Sequence, residues 1–169
     1  MEFKTPEEKY NYHLHEMIGV CSEQGWGDPT SYARAKEIYM AIVLGHRVAP
    51  TLSGADGYNK DGLPVEYKST TGPSIKGTYN GISVQNSWSE QESYLLNEKL
   101  GRYPEHFMAR FNKETGKIEE LWVLTGSKVC DILIPKLKAK FPTVRTKKDP
   151  RLGANITKKE IYKYGKRIK

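Results

Sequence analysis

The chain is poor in the residues that build several common protein classes. Only Cys21 and Cys130 are cysteine. They have no metal-ligand spacing and cannot make a disulfide scaffold, so reduced thiols in a cytoplasmic setting are expected. Histidine is scarce, at four. His13 and His15 lie two apart on an expected helix, where their rings face different ways, so no zinc site is read from them. No apolar run approaches the ~20 residues that a membrane-crossing helix needs. The charged first residues are not followed by an apolar h-region, which argues against a secretory leader. No repeat or low-complexity stretch is visible.

What is present is enough for one domain with a core: 169 residues, 37% hydrophobic and 28% charged, with 11 tyrosines. The formal charge of +7 is unevenly placed. Residues 136–169 hold 13 Lys or Arg against Asp149 and Glu160, a net +11, whereas residues 1–135 carry a net −4. A basic C-terminal part on a mildly acidic body is an electrostatic footprint for a polyanion. The division expected is a core over 1–141 and a basic appendage over 142–169 that is not an independent domain.

Thr5-Pro6-Glu7-Glu8 starts a helix running to about Ser22, with Leu14, Met17, Ile18 and Cys21 as its buried stripe. A second helix is expected from Asp28-Pro29-Thr30 to Leu44, ended by Gly45. Turn chemistry at 59–62 joins strands over 55–58 and 63–69. Residues 70–93 are polar and turn-rich, with a short strand expected at Ile82-Ser83-Val84, and Lys76, Tyr79 and Asn80 are read as loop residues facing substrate. A helix over 89–100 follows, then strands over 106–111 and 117–124. The next helix, 128–138, should kink or stop at Pro135. A short helix begins at Thr157, with Glu160 completing a capping box.

Asp56 precedes the hairpin turn, and Val65-Glu66-Tyr67-Lys68 follows it. Residues i and i+2 of a strand share a face, so Glu66 and Lys68 point one way, and Val65 and Tyr67 the other. With Asp56 alongside, two carboxylates can hold a divalent metal beside a lysine that meets an attacking water. Those parts suit phosphodiester hydrolysis. The bland alternative is a surface hairpin with an ordinary Glu66–Lys68 pair, contributing roughly 0–1 kcal/mol. Glu37, on the preceding helix, is either a surface ion-pair residue or a third carboxylate over the same site.

Asp56 followed by Glu66-Tyr67-Lys68 resembles the active-site pattern of the PD-(D/E)xK nuclease superfamily, with Ala55 where the name-giving proline would stand. The resemblance rests on three residues and on the order of elements over about 35–70. It implies an α/β fold, a restriction-endonuclease-like mixed β-sheet flanked by helices. It also implies Asp56, Glu66 and the backbone carbonyl near Tyr67 as metal ligands, Lys68 beside the water, and Glu37 as an added acid. The cofactor implied is Mg2+, with Mn2+ as a substitute. The activity implied is cleavage of double-stranded DNA leaving 5′-phosphates, most simply by a small type II restriction endonuclease of bacterial or phage cytoplasm acting as a homodimer. A homing-type endonuclease or junction resolvase is the neighbouring reading, and a non-catalytic DNA- or RNA-binding module the distinct one. DNA contacts are expected from Lys76, Tyr79, Arg145, Lys147, Lys148, Arg151, Lys158 and Lys159. Arg102, Arg110, Arg145, Lys147 and Arg151 are candidates for base edges.

Overall fold

Alternation of apolar residues along three neighbouring strands organises the molecule. The computed structural model describes residues 3–50 and 54–169. Strands β1 (Arg47–Val48), β2 (Gly57–Tyr58), β3 (Pro64–Thr70), β5 (Glu105–Phe111), β6 (Ile118–Thr125) and β8 (Lys166–Arg167) form one sheet in the order β1-β2-β3-β5-β6-β8. β3 and β5 run parallel, and every other neighbouring pair is antiparallel. The sheet is therefore mixed, and helices flank it. A second, two-stranded sheet pairs β4 (Gly77–Ser83) with β7 (Arg151–Ile156). The segment expected as polar and turn-rich, with a short strand only at 82–84, thus contains a seven-residue strand over Gly77–Ser83.

The sheet separates two apolar clusters. On one face, Val65, Tyr67, Phe107, Ala109 and Leu121 meet Ile38, Met40 and Ala41 of α2 (Arg34–Leu44). On the other, Met108 and Leu124 meet the inner sides of β4 and β7 and the apolar stripe of α4 (Gly126–Arg145). Period-two alternation puts successive residues of β5 into different clusters, and sets Val65 and Tyr67 of β3 in one of them.

The helices depart from expectation in instructive ways. In α1 (Pro6–Glu23), the Thr5 hydroxyl accepts the Glu8 N–H, as a helix start should. Yet only Cys21 of the expected stripe is buried, and Met17 and Ile18 remain 39% exposed. α2 begins at Arg34 rather than near Asp28. The Asp28 carboxylate instead ties a turn, accepting the Thr30 N–H (2.8 Å) and the Ser31 hydroxyl (2.9 Å). Gly45, at φ 66°, closes α2 in the left-handed conformation. α3 (Trp88–Tyr94) continues into a π-type turn over Leu95–Lys99. α4 runs through Pro135 and Pro142 instead of stopping. Burial of Val129, Leu133, Leu137 and Phe141 on one side offsets the ~3 kcal/mol that an interior proline costs.

The boundary expected at 141 falls inside α4, and the segment beyond it is woven into the fold. It supplies β7, then α5 (Lys158–Tyr164) with the Thr157–Glu160 capping box, then β8, which pairs with β6. Part of the positive charge counted over residues 136–169 is structural. Lys136 binds Glu160 (2.7 Å) and the Asn155 carbonyl (2.9 Å), and Lys140 donates to the Gly153 carbonyl (2.7 Å). No helix among the described residues is long and apolar enough to cross a membrane.

Candidate active site

Asp56 is held by backbone bonds on both sides. Its N–H donates to the Val65 carbonyl (3.1 Å), and its carbonyl accepts the Ala49 N–H (3.3 Å). The β2–β3 ladder ends at Gly57↔Val65. At the next position the Asp56 carboxylate replaces a strand, with Oδ2 accepting the Tyr67 N–H at 2.6 Å. The N–H and C=O of an extended residue point to the same edge. The Tyr67 carbonyl therefore opens on the side where the Asp56 carboxylate stands. Gly57 is glycine because of close approach: a Cβ there would lie 2.6 Å from the Tyr67 hydroxyl.

Glu66 and Lys68 share a strand face and form an ion pair, opposite the buried Val65 and Tyr67. Glu37, on α2, acts on Asp56 and Lys68 through its charge. Its placement depends on Arg34, which is 1% exposed. Arg34 donates to the Trp26 carbonyl (2.6 Å) and to the Ala49 carbonyl, and pairs with Glu37 at 3.3 Å. One buried guanidinium thus joins the α1–α2 connection, the end of β1 and the third acid.

The electrostatics report the crowding of acids. Burial, then the charges of Glu66 and Glu37, push the Asp56 carboxyl up to about 8, against the pull of Lys68 and the Tyr67 N–H. Burial alone would lower Lys68. The charges of Glu66, Asp56 and Glu37 outweigh it and hold the ammonium above its ordinary value. Among the described residues, no group of three or more His, Cys, Asp and Glu side chains is assembled to hold a metal ion. The donors of the candidate site are the Asp56 carboxylate, the Glu66 carboxylate whose charge acts on it, and the carbonyl of Tyr67, whose N–H Asp56 accepts. They are all oxygen, a set that suits Mg2+, which is commonly bound through one or two carboxylates and keeps several waters.

Beneath Lys68 lies a layer that the sequence did not announce. Tyr79 is 4% exposed on β4, so its expected role as a DNA contact is corrected: the side chain points into the protein. The Lys68 ammonium sits 5.1 Å from the centre of its ring. The Tyr79 hydroxyl is 2.9 Å from His106 Nδ1, and His106 Nε2 is 3.0 Å from the Leu100 carbonyl. A carbonyl only accepts, so Nε2 carries the proton and Nδ1 accepts from Tyr79. Burial pushes His106 down to about 4, which keeps it neutral. His106 stands beside Glu66 in the parallel ladder. Only knowledge of that pairing would have found it.

The other expected contacts divide by place. Lys76 is exposed just before β4; Lys158 and Lys159 are exposed just after β7. Because Gly77 pairs with Ile156, these three share one end of the two-stranded ribbon. Arg145, Lys147, Lys148 and Arg151 are exposed toward the other end, where Ser83 pairs with Arg151. Arg110 is committed to Glu119 and Glu120, and the Arg102 guanidinium lies over Tyr103 at 5.1 Å. No protein-family model matches the chain, and a search of curated proteins finds no match.

Proposed function

We propose that this chain is a divalent-metal-dependent endonuclease of restriction-endonuclease-like type that hydrolyses phosphodiester bonds of double-stranded DNA at a defined sequence. One observation carries the reading. Asp56 is held in a partly buried place where Glu66 and Glu37 oppose its ionisation, with Lys68 on the same strand face as Glu66. Crowded acids destabilise a fold unless a cation joins them. A merely structural Glu66–Lys68 pair has no need of Asp56 or Glu37.

Asp56, Glu66 and the Tyr67 carbonyl would hold Mg2+, or Mn2+ in its place. The ion would supply Lewis acidity and neutralise phosphate charge. Lys68 presents a cation to the reacting phosphate and to the entering water, and Tyr79 supports that ammonium from below. Glu37, fixed by Arg34, adds negative charge that favours a bound cation. The basic ends of the β4–β7 ribbon supply backbone affinity. Cutting both strands of a palindrome calls for two copies related by a two-fold axis. Met17, Ile18 and Val20 of α1 and Ile42 of α2 are exposed and available to a second copy.

The test is digestion of long mixed-sequence duplex DNA in Mg2+, with EDTA, Asp56→Asn and Glu66→Gln alongside. Discrete fragments bearing 5′-phosphates, absent from the three controls, are expected. Folded wild type that binds DNA in a salt-sensitive way but never cuts it would replace this reading with the non-catalytic binding module.

A further inference from the structure

We infer that the outward face of the β4–β7 ribbon reads base edges in the major groove, a step that rests on the duplex-DNA reading above. The ribbon is strictly two-sided. Tyr79, Ile82, Leu152, Ala154 and Ile156 are buried on its inner side. Thr78, Asn80, Ser83, Arg151 and Asn155 alternate outward, with Thr78 opposite Asn155 and Ser83 opposite Arg151. A bulge between Tyr79 and Ile82, with Gly81 at φ 69°, restores the inward phase of Ile82. Gly153 makes room for Asn80: a Cβ at 153 would stand 2.5 Å from the Asn80 Oδ1. Asn155 accepts from Lys136 through its backbone carbonyl, and the residue is exposed.

The composition of this face is what distinguishes it from an ordinary solvated surface. Neither strand contains an Asp or Glu. Its outward side chains are short hydrogen-bonding groups and one arginine, Arg151, which pairs with the exposed Asp149 at 3.2 Å and donates to the Ser83 hydroxyl at 3.4 Å; asparagine and arginine are the types that pair with adenine and guanine edges. Its two ends are basic, with Lys76, Lys158 and Lys159 at one and Arg145, Lys147, Lys148 and Arg151 toward the other. Six to seven extended residues span roughly 20 Å, and the B-DNA major groove is ~12 Å wide and admits a two-stranded ribbon. With Thr78, Asn80, Ser83 and Asn155 in the groove, the basic ends fall near the flanking phosphates, and Arg151 stands where row and end meet. The same strand that turns Asn80 outward turns Tyr79 inward beneath Lys68. Readout and the reacting lysine are thereby fixed by one element.

The test is a binding selection from a random-sequence duplex library in Ca2+ in place of Mg2+, so that affinity is read apart from cutting. Wild type is run beside Asn80→Ala, Asn155→Ala, Asn155→Gln and Arg151→Ala, with folding checked by circular dichroism. Wild type should enrich a short motif. Each variant should lose preference at one or two base pairs, by about 5- to 150-fold in relative affinity. A Lys147→Ala and Lys148→Ala double variant should weaken all sequences alike and flatten the salt dependence. An unchanged motif in every ribbon variant, or no motif in wild type, would overturn the inference. Variant-specific loss of preference by a protein that never cuts in Mg2+ would instead retain the ribbon and remove the nuclease reading.

Discussion

The two faces of β3 carry opposite kinds of chemistry. Val65 and Tyr67 point into a packed cluster with Phe107 and α2, where Tyr67 also meets His46 Nδ1 at 2.9 Å. Glu66 and Lys68 point the other way, toward Asp56, Tyr79 and His106. One face satisfies every demand of burial. The other sets Glu66 and Lys68 beside Asp56, whose carboxyl burial and neighbouring acids push up to about 8. A perturbed ionisable group on one side of a strand, while the other side is well packed, is the pattern expected where structure serves chemistry.

That contrast can be broken from either side. The largest effect is expected from Lys68→Ala, which should cut DNA about 10^2- to 10^3-fold more slowly in Mg2+ with the circular dichroism spectrum retained. On the packed face, Val65→Ala should cost about 2 kcal/mol in urea unfolding and leave the cutting rate per folded molecule near wild type. Equal loss of cutting in both variants would erase the distinction between the faces.

The pH dependence sharpens it further. Asp56 in the folded, metal-free protein ionises near 8, against an ordinary 3.8. Between those values the folded state holds a proton that the unfolded chain has released, so stability in EDTA should fall as pH rises through this window. Asp56→Asn should flatten the decline. Melting temperature against pH for the two proteins reads this directly, and parallel curves would contradict it.

Smaller effects separate the layer under Lys68. Tyr79→Phe keeps the ring face and loses the bond to His106, so it should cost about 1 kcal/mol of stability and little cutting. Tyr79→Leu removes the support of the ammonium and should lower the cutting rate several-fold at saturating DNA, by analogy with a cation–π contact of about 1–2 kcal/mol. Least of all, Tyr67→Phe should lose about 1 kcal/mol through the His46 bond and leave cleavage alone.

How much of this was legible beforehand follows from which interactions are local. The hairpin was legible: Asn59 and Gly62 close its turn through a 2.9 Å bond, and a period of two puts Glu66 and Lys68 together. The start of α1 was legible from Thr5 and Glu8. Tyr79 was not, because β4 has a polar outer side, a glycine at its start and another inside it, and a partner strand about seventy residues away. A strand whose pairing is so distant reads as a loop. His106 owes its place to the parallel β3–β5 register, and Arg34 acts through carbonyls of Trp26 and Ala49. Neither leaves a local pattern. Helix α4 passes Pro135 because its buried side outweighs local propensity, a tertiary effect.

The most direct measurement is calorimetric titration of Mn2+ into the metal-free protein at pH 7, in buffers of different ionisation enthalpy, to count protons released on binding. Because Asp56 is largely protonated at that pH, binding should release close to one proton, and Asp56→Asn should abolish the release. Mn2+ binding with no proton released, or with the release unchanged in Asp56→Asn, would contradict the cation site assigned to Asp56 and Glu66.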